Sequence, residues 1–184
     1  IFSLSGAVGP ILGQNYGARR FDRLYETMRS SLIVTVVYVL FAWALLALLR
    51  DHIAALFNAQ GGARDLVVFF CLFAAGSFLF NGALFVANAA FNNLGYPSYS
   101  TVFNWGRSTL GVIPFVWAGA HFYGAEGVIA GWGLGAVMFG LAAVVVCFRV
   151  VRRIADDPPP EPPLPGPPPA GQSPFSTGKA STAG

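Results

Sequence analysis

Apolar residues run along this chain in long uninterrupted blocks, with polar positions gathered between them. The block at 31–49 (S-L-I-V-T-V-V-Y-V-L-F-A-W-A-L-L-A-L-L) contains no charge. A helix needs about 20 mainly apolar residues to cross a bilayer. The β-branched residues here would favour strand in water, but a lone strand in lipid leaves its backbone groups unpaired, so the block predicts a helix. Three more blocks predict spans at 66–92, 99–122 and 127–148, and residues 1–12 read as the last turns of a further helix only in the light of the motif that follows them. Between 50 and 58, Ile53, Leu56 and Phe57 share one helical face and predict a short interfacial helix. Gly95 and Pro97 punctuate the turn between the second and third spans. Residues 121–127 are the expected loop before the fourth. From 155 onward prolines dominate, and such a segment cannot bury enough apolar area to offset its ordering entropy. The pattern therefore predicts an all-α, polytopic transmembrane bundle over 1–154 and a disordered Pro-rich tail over 155–184.

Composition agrees with that pattern. Of the 184 residues, 55% are hydrophobic and 10% charged, where a soluble domain carries about 25% charged residues. The net charge of +3 is small and divided among connecting segments, which argues against nucleic acid as a partner and makes the arginines topology signals. Arg19, Arg20, Arg23 and Arg29 stand in the expected loop before the first span, and Arg149, Arg152 and Arg153 follow the last. Four intervening spans put both groups on one side. The other side holds Arg50 and Arg64, each next to an Asp. Positive charge favours the cytoplasmic side, so the N-terminal arginines and the C-terminus are expected there.

Cys71 and Cys147 lie far apart inside apolar blocks and read as small buried side chains. The chain has no G-x-S-x-G, no H-E-x-x-H and no P-loop, and His52 and His121 fall in separate expected loops. No enzyme activity, metal site or cofactor is expected.

The segment Gly13-Gln14-Asn15-Tyr16-Gly17-Ala18-Arg19-Arg20, with Arg23 beyond it, fits a Gly-Gln-Asn-x-Gly-Ala-x-x-x-x-Arg pattern. Gly13 and Gly17 would permit a close backbone approach or a positive φ where the chain leaves the membrane. Gln14 and Asn15 can bond carbonyls freed at the helix end. This motif resembles that of the multidrug and toxic compound extrusion (MATE) transporters, which carry it on the cytoplasmic side just after the second and eighth of twelve helices. With four spans after it and Ile1 in place of a Met, the chain looks like the C-terminal part of such a two-lobe transporter. The resemblance implies a secondary antiporter that exports organic, often cationic compounds in exchange for H⁺ or Na⁺ by alternating access. It implies a bacterial inner membrane, with lipid, small organic substrates and the missing N-terminal lobe as partners. A lipid-linked sugar flippase of the same superfamily and a non-transporting membrane scaffold are the alternatives.

Within the second span Ser77, Asn81, Asn88 and Asn92 fall within roughly 60° of one another at about 100° per residue. Leu84 lies close to the same stripe. Amides in hydrocarbon are costly unless paired or facing water, so these four residues either line a substrate path or bond neighbouring helices. The resemblance makes this the tenth helix, which borders the cavity of the C-terminal lobe. Between Leu66 and Phe148 the only acid is Glu126, in an expected loop. Any carboxylate that binds the coupling ion is therefore expected outside this chain. Arg107 is the single charge in the third span and can snorkel to the surface. Pro114 should kink that helix. Together with Gly13, Gln14, Asn15 and Gly17, these two are the gating or hinge candidates. Gly127, Gly131 and Gly135 form a small-xxx-small ridge suited to close helix packing.

Overall fold

Uninterrupted apolar runs become uninterrupted helices, and the chain bends where glycine, proline or a neighbouring side chain intervenes. The structure, a computed structural model, describes residues 2–158 and 160. Its helices are α1 (Phe2–Gly17), α2 (Phe21–Leu56), α3 (Gly62–Leu72), α4 (Phe78–Asn93), α5 (Pro97–Ser108) and α6 (Ile113–Asp156), with a 3-10 turn, Ala74–Ser77, between α3 and α4. No strand occurs among the described residues. Three stretches are long and apolar enough to cross a membrane: Phe21–Leu56, Gly62–Asn93 and Pro97–Asp156.

α2 is longer at both ends than the apolar block at 31–49. It holds neither Gly nor Pro in its 36 residues, so nothing stops the helix at Leu49. The interfacial helix expected near 50–58 is thus a continuation of α2, which ends at Leu56 before Asn58 and Gly61 turn with positive φ (47° and 54°). At the other end, the arginine-rich loop expected before the first span shrinks to Ala18–Arg20, and Arg23 and Arg29 are helical. Arginine is a good helix former, and no breaker follows Phe21.

The other two stretches are broken. The expected span at 66–92 is split by the 3-10 turn at Ala74–Ser77. Trp43 of α2 donates from its indole Nε1 to the Leu72 carbonyl at 3.1 Å, at the point where the regular ladder ends. The Trp43 ring also fills the space over Gly76, where an added Cβ would stand 3.0 Å from it. The expected span at 99–122 is split at 109–112, between α5 and α6. Pro114 sits in the first turn of α6, where its missing N–H leaves no bond unmade and its ring does not meet a preceding helical turn.

The third stretch also reverses. Gly124 has φ 59° and ψ −135°, a conformation that only glycine adopts freely. It divides α6 into arms 113–123 and 125–156. The arms pack antiparallel along the predicted glycine ridge: Gly127 lies on Gly119, Gly131 on the Phe115 backbone, and Gly135 on Gly111, so closely that a Cβ at any of the three would overlap a carbonyl. The connection around 121–127 is consequently a single non-helical residue. His121 and Glu126 lie on helical arms, and His52 lies in α2, rather than in loops.

A hydrophobic core gathers at one end of the bundle. Leu12, Leu24, Met28, Phe91, Leu94, Cys147, Val151 and Ile154 join α1, α2, α4 and the end of α6. Cys71 and Cys147 are both buried and unbridged. Val37, Phe41 and Leu48 of α2 face outward, as lipid-facing residues should. α6 ends at Asp156, and the tail expected from 155 otherwise falls largely on 159 and 161–184, outside the described residues.

Candidate functional site

α4 is the most deeply embedded helix, packed against α1, α2, α5 and α6. Its small residues Gly82, Ala87 and Ala90 are buried, which lets neighbours close in and carries its polar stripe inside. Asn81 and Asn88, two turns apart, are each only 7% exposed. The Nδ2 of Asn81 and the Oδ1 of Asn88 have no hydrogen-bond partner among the described residues. Ser77 is also buried, but its Oγ donates to the Ala74 carbonyl at 2.7 Å, closing the 3-10 turn on itself. Leu84 is fully buried between the two asparagines, and Asn92 is exposed.

These four residues do not share one cavity. Asn88 and Asn92 line a space of about 400 Å³ between α1, α4 and α5, together with Asn93, Ser100, Asn104 and Phe85. Ser77 lines a separate apolar space of about 380 Å³ beside Trp43, Phe73, Phe80 and Gly133. Asn81 borders neither.

Three contributors to the polar cavity were missed by sequence reasoning. Asn93 lies about 100° off the α4 stripe, so an angular criterion rejects it. In the structure its Nδ2 donates to the Ala89 carbonyl at 2.8 Å, and its side chain rests on Gly9 and Gly13 of α1. Ser100 and Asn104 are one turn apart on α5, with Asn104 Nδ2 donating to the Ser100 carbonyl at 2.9 Å. Their four-residue spacing was a usable signal, but nothing in it indicates that α5 faces α4.

The motif residues fall as follows. Gly13 provides close approach, since an added Cβ would stand 3.3 Å from Asn93 Oδ1. Gln14 contributes its backbone carbonyl, which accepts from Ala18 N at 2.9 Å. Asn15 Nδ2 donates to the Ile11 carbonyl at 2.9 Å. Gly17 ends α1 with nothing within 4 Å of an added Cβ, and the positive φ expected of a glycine belongs to Arg19 (57°). Arg107 and Pro114 flank the break at 109–112. Arg107 is half-buried in the last turn of α5, and its Nε has no partner among the described residues. Among the described residues no group of three or more His, Cys, Asp or Glu could hold a metal ion.

The arrangement can offer amide and hydroxyl hydrogen bonds to a solute between helices that contain two breaks. Comparison with known proteins supplies a context for it. The sequence model of the MatE family matches residues 1–118. An uncharacterized 21 kDa protein from the iaaL 5′ region of Pseudomonas savastanoi is 36% identical over 165 residues, which cover 85% of this chain and 50% of that protein. The chain thus spans about half the length of this curated relative. The Vibrio cholerae MATE transporter VcmN in its bent form matches with a TM-score of 0.74 at 20% identity, over 80% of this chain and 34% of that one. An inward-facing multidrug resistance MATE family transporter of the MOP superfamily matches with a TM-score of 0.77 at 15% identity, over 84% of this chain and 36% of that one. At these identities the two solved structures speak for a shared fold.

Proposed function

The chain belongs to the MATE family of membrane transporters, and from that premise we propose that it forms the C-terminal part of a secondary antiporter that exports organic, often cationic compounds. In this reading two lobes open alternately to either side, and α4 supplies part of the wall of the substrate path. The observation that carries it is the buried amide of Asn88, which lines the polar cavity between α1, α4 and α5 and whose Oδ1 has no partner among the described residues. A buried amide group without a partner costs roughly 1–3 kcal/mol. Asparagines retained for helix–helix bonding should have found partners among the helices around α4. Groups left open are suited to solute or water, as polar residues in transporters commonly are.

Charge placement supports an orientation. The end that carries Arg19, Arg20, Arg23 and Arg29 packs with the end of α6, where Leu24 and Ile154 share the core and Tyr25 lies 5.4 Å from Phe148, ring to ring. Arg149, Arg152 and Arg153 therefore join the same side. At the other end of α2, Arg64 bonds Asp51 at 2.8 Å and Arg50 approaches it at 3.7 Å, which offsets their charge. We place the arginine-rich end and the C-terminus in the cytoplasm, in a bacterial inner membrane. The coupling ion, H⁺ or Na⁺, would bind a carboxylate outside this chain, because the sequence between 66 and 148 has only Glu126.

The test is accumulation of ethidium and a fluoroquinolone in efflux-deficient cells that express the native gene. We expect lower accumulation than in control cells, restored when the proton or sodium gradient is collapsed. If none of the compounds is moved under any gradient, drug export is wrong and a lipid-linked sugar becomes the substrate to try.

A further inference from the structure

One groove is left unused by this reading. α1 and the first turns of α2 run antiparallel and enclose a space of about 570 Å³. Its lining changes along its length. Asn15, Arg23 and Glu26 stand at the arginine-rich end, Ile11 with Thr27, Ser30 and Ser31 lies in the middle, and Ala7, Val8 and Val34 stand at the end that points into the apolar part of the helices. From Arg23 to Val34 is 11 residues of helix, or roughly 16 Å. The gradient matches the passage from headgroup depth to acyl-chain depth in one leaflet.

The charges at its mouth have no partner among the described residues. Arg23 and Glu26 are three residues apart on one helical face, a spacing at which opposite charges usually meet. Here no side-chain ion pair or hydrogen bond joins either of them to the other or to another described residue. Both line the same groove. A site with one cation, one anion and an apolar floor complements a molecule with the same three parts.

We infer that this groove binds a single zwitterionic phospholipid of the ethanolamine type, its phosphate on Arg23, its ammonium on Glu26 and its first acyl carbons against Ile11 and Val34. A free inorganic anion would leave Glu26 and the apolar floor without a role. A net-anionic lipid would place its charge beside the Glu26 carboxylate. An apolar helix laid in the groove would strip water from both charges and return nothing for them. A primary ammonium donates charge-assisted hydrogen bonds to a carboxylate, which a quaternary choline headgroup cannot do.

Native mass spectrometry of the purified protein, titrated separately with dioleoyl phosphatidylethanolamine, phosphatidylcholine and phosphatidylglycerol, tests this. Wild type should retain the ethanolamine lipid about tenfold more strongly than the other two, the equivalent of one good charge-assisted hydrogen bond. Glu26→Gln should remove that preference while binding persists, and Arg23→Gln should weaken all three lipids. Both side chains are exposed, so the variants should melt at the wild-type temperature. The exchange Arg23→Glu with Glu26→Arg retains both charges and should recover most of the preference. The inference fails if wild type binds the three lipids alike or binds none, as it would with another part of the protein in the groove. It also fails if neither single variant alters the order.

Discussion

The two breaks in the helical stretches differ in how they are held. The break at 109–112 is marked in its own sequence, although Phe139 of the returning arm packs on its Gly111. Pro114 ends the possibility of continuous helix, Thr109 Oγ1 donates to the Trp105 carbonyl at 2.8 Å, and Gly111 N donates to the Gly106 carbonyl at 2.9 Å. The break at Ala74–Ser77 is held from outside. Its sequence, Ala74-Ala75-Gly76-Ser77, contains no proline, and its main anchor is Trp43, 29 residues away from the Leu72 carbonyl it bonds. A chain can therefore bend a membrane helix by its own covalent chemistry or by a neighbour's side chain.

The largest effect that separates them should come from filling their glycines. At Gly111 an added methyl meets both the Arg107 carbonyl (2.7 Å) and the Phe139 ring (2.8 Å), whereas at Gly76 its nearest neighbour is the Trp43 ring (3.0 Å). Backbone cannot yield as a side chain does. Gly111→Ala should destabilise by about 2–3 kcal/mol and Gly76→Ala by about 1 kcal/mol, within the usual range for overpacking. Thermal unfolding in detergent measures both, and the reverse order would break the comparison.

A smaller effect is expected at the anchor. Trp43→Phe keeps the ring over Gly76 but leaves the Leu72 carbonyl unbonded, a cost of about 1–2 kcal/mol. Hydrogen exchange should quicken at residues 73–77 and stay unchanged at 109–112. Equal acceleration at both breaks would mean that the two are one mechanical unit.

The smallest effect belongs to Pro114→Ala. Proline in the first turn of a helix is well tolerated, so its removal should shift stability by less than about 1 kcal/mol. Slower exchange at 109–112 would show the break beginning to close. No change there would assign the break to Gly111 and Phe139 instead.

The same contrast explains what could be read from the sequence. Features set by local covalent chemistry were visible: the apolar run of α2, the bend at Pro114, and the Gly127, Gly131 and Gly135 ridge, whose spacing alone implies a close partner. Features set by distant neighbours were not. The turn at Ala74–Ser77 depends on Trp43, and the polar cavity depends on α5 bringing Ser100 and Asn104 to Asn88 and Asn93. The extent of α2 was misjudged for another reason. Charged residues at 21–30 and 50–56 read as loop or interface, although Arg, Glu and Leu are all good helix formers and no breaker stood among them. Ile53 and Leu56 are helical while Phe57 caps the end of α2, and periodicity cannot distinguish a new helix from the continuation of an old one.

The most direct test of the account is to measure stability and ethidium export together on the native gene product carrying Asn81→Leu and Asn88→Leu. If the Asn88 amide serves a transport path, export should fall about tenfold or more while the melting temperature holds or rises, because two polar groups without partners leave the interior. A protein that loses about 2 kcal/mol or more of stability, or that exports ethidium at the wild-type rate, would contradict it.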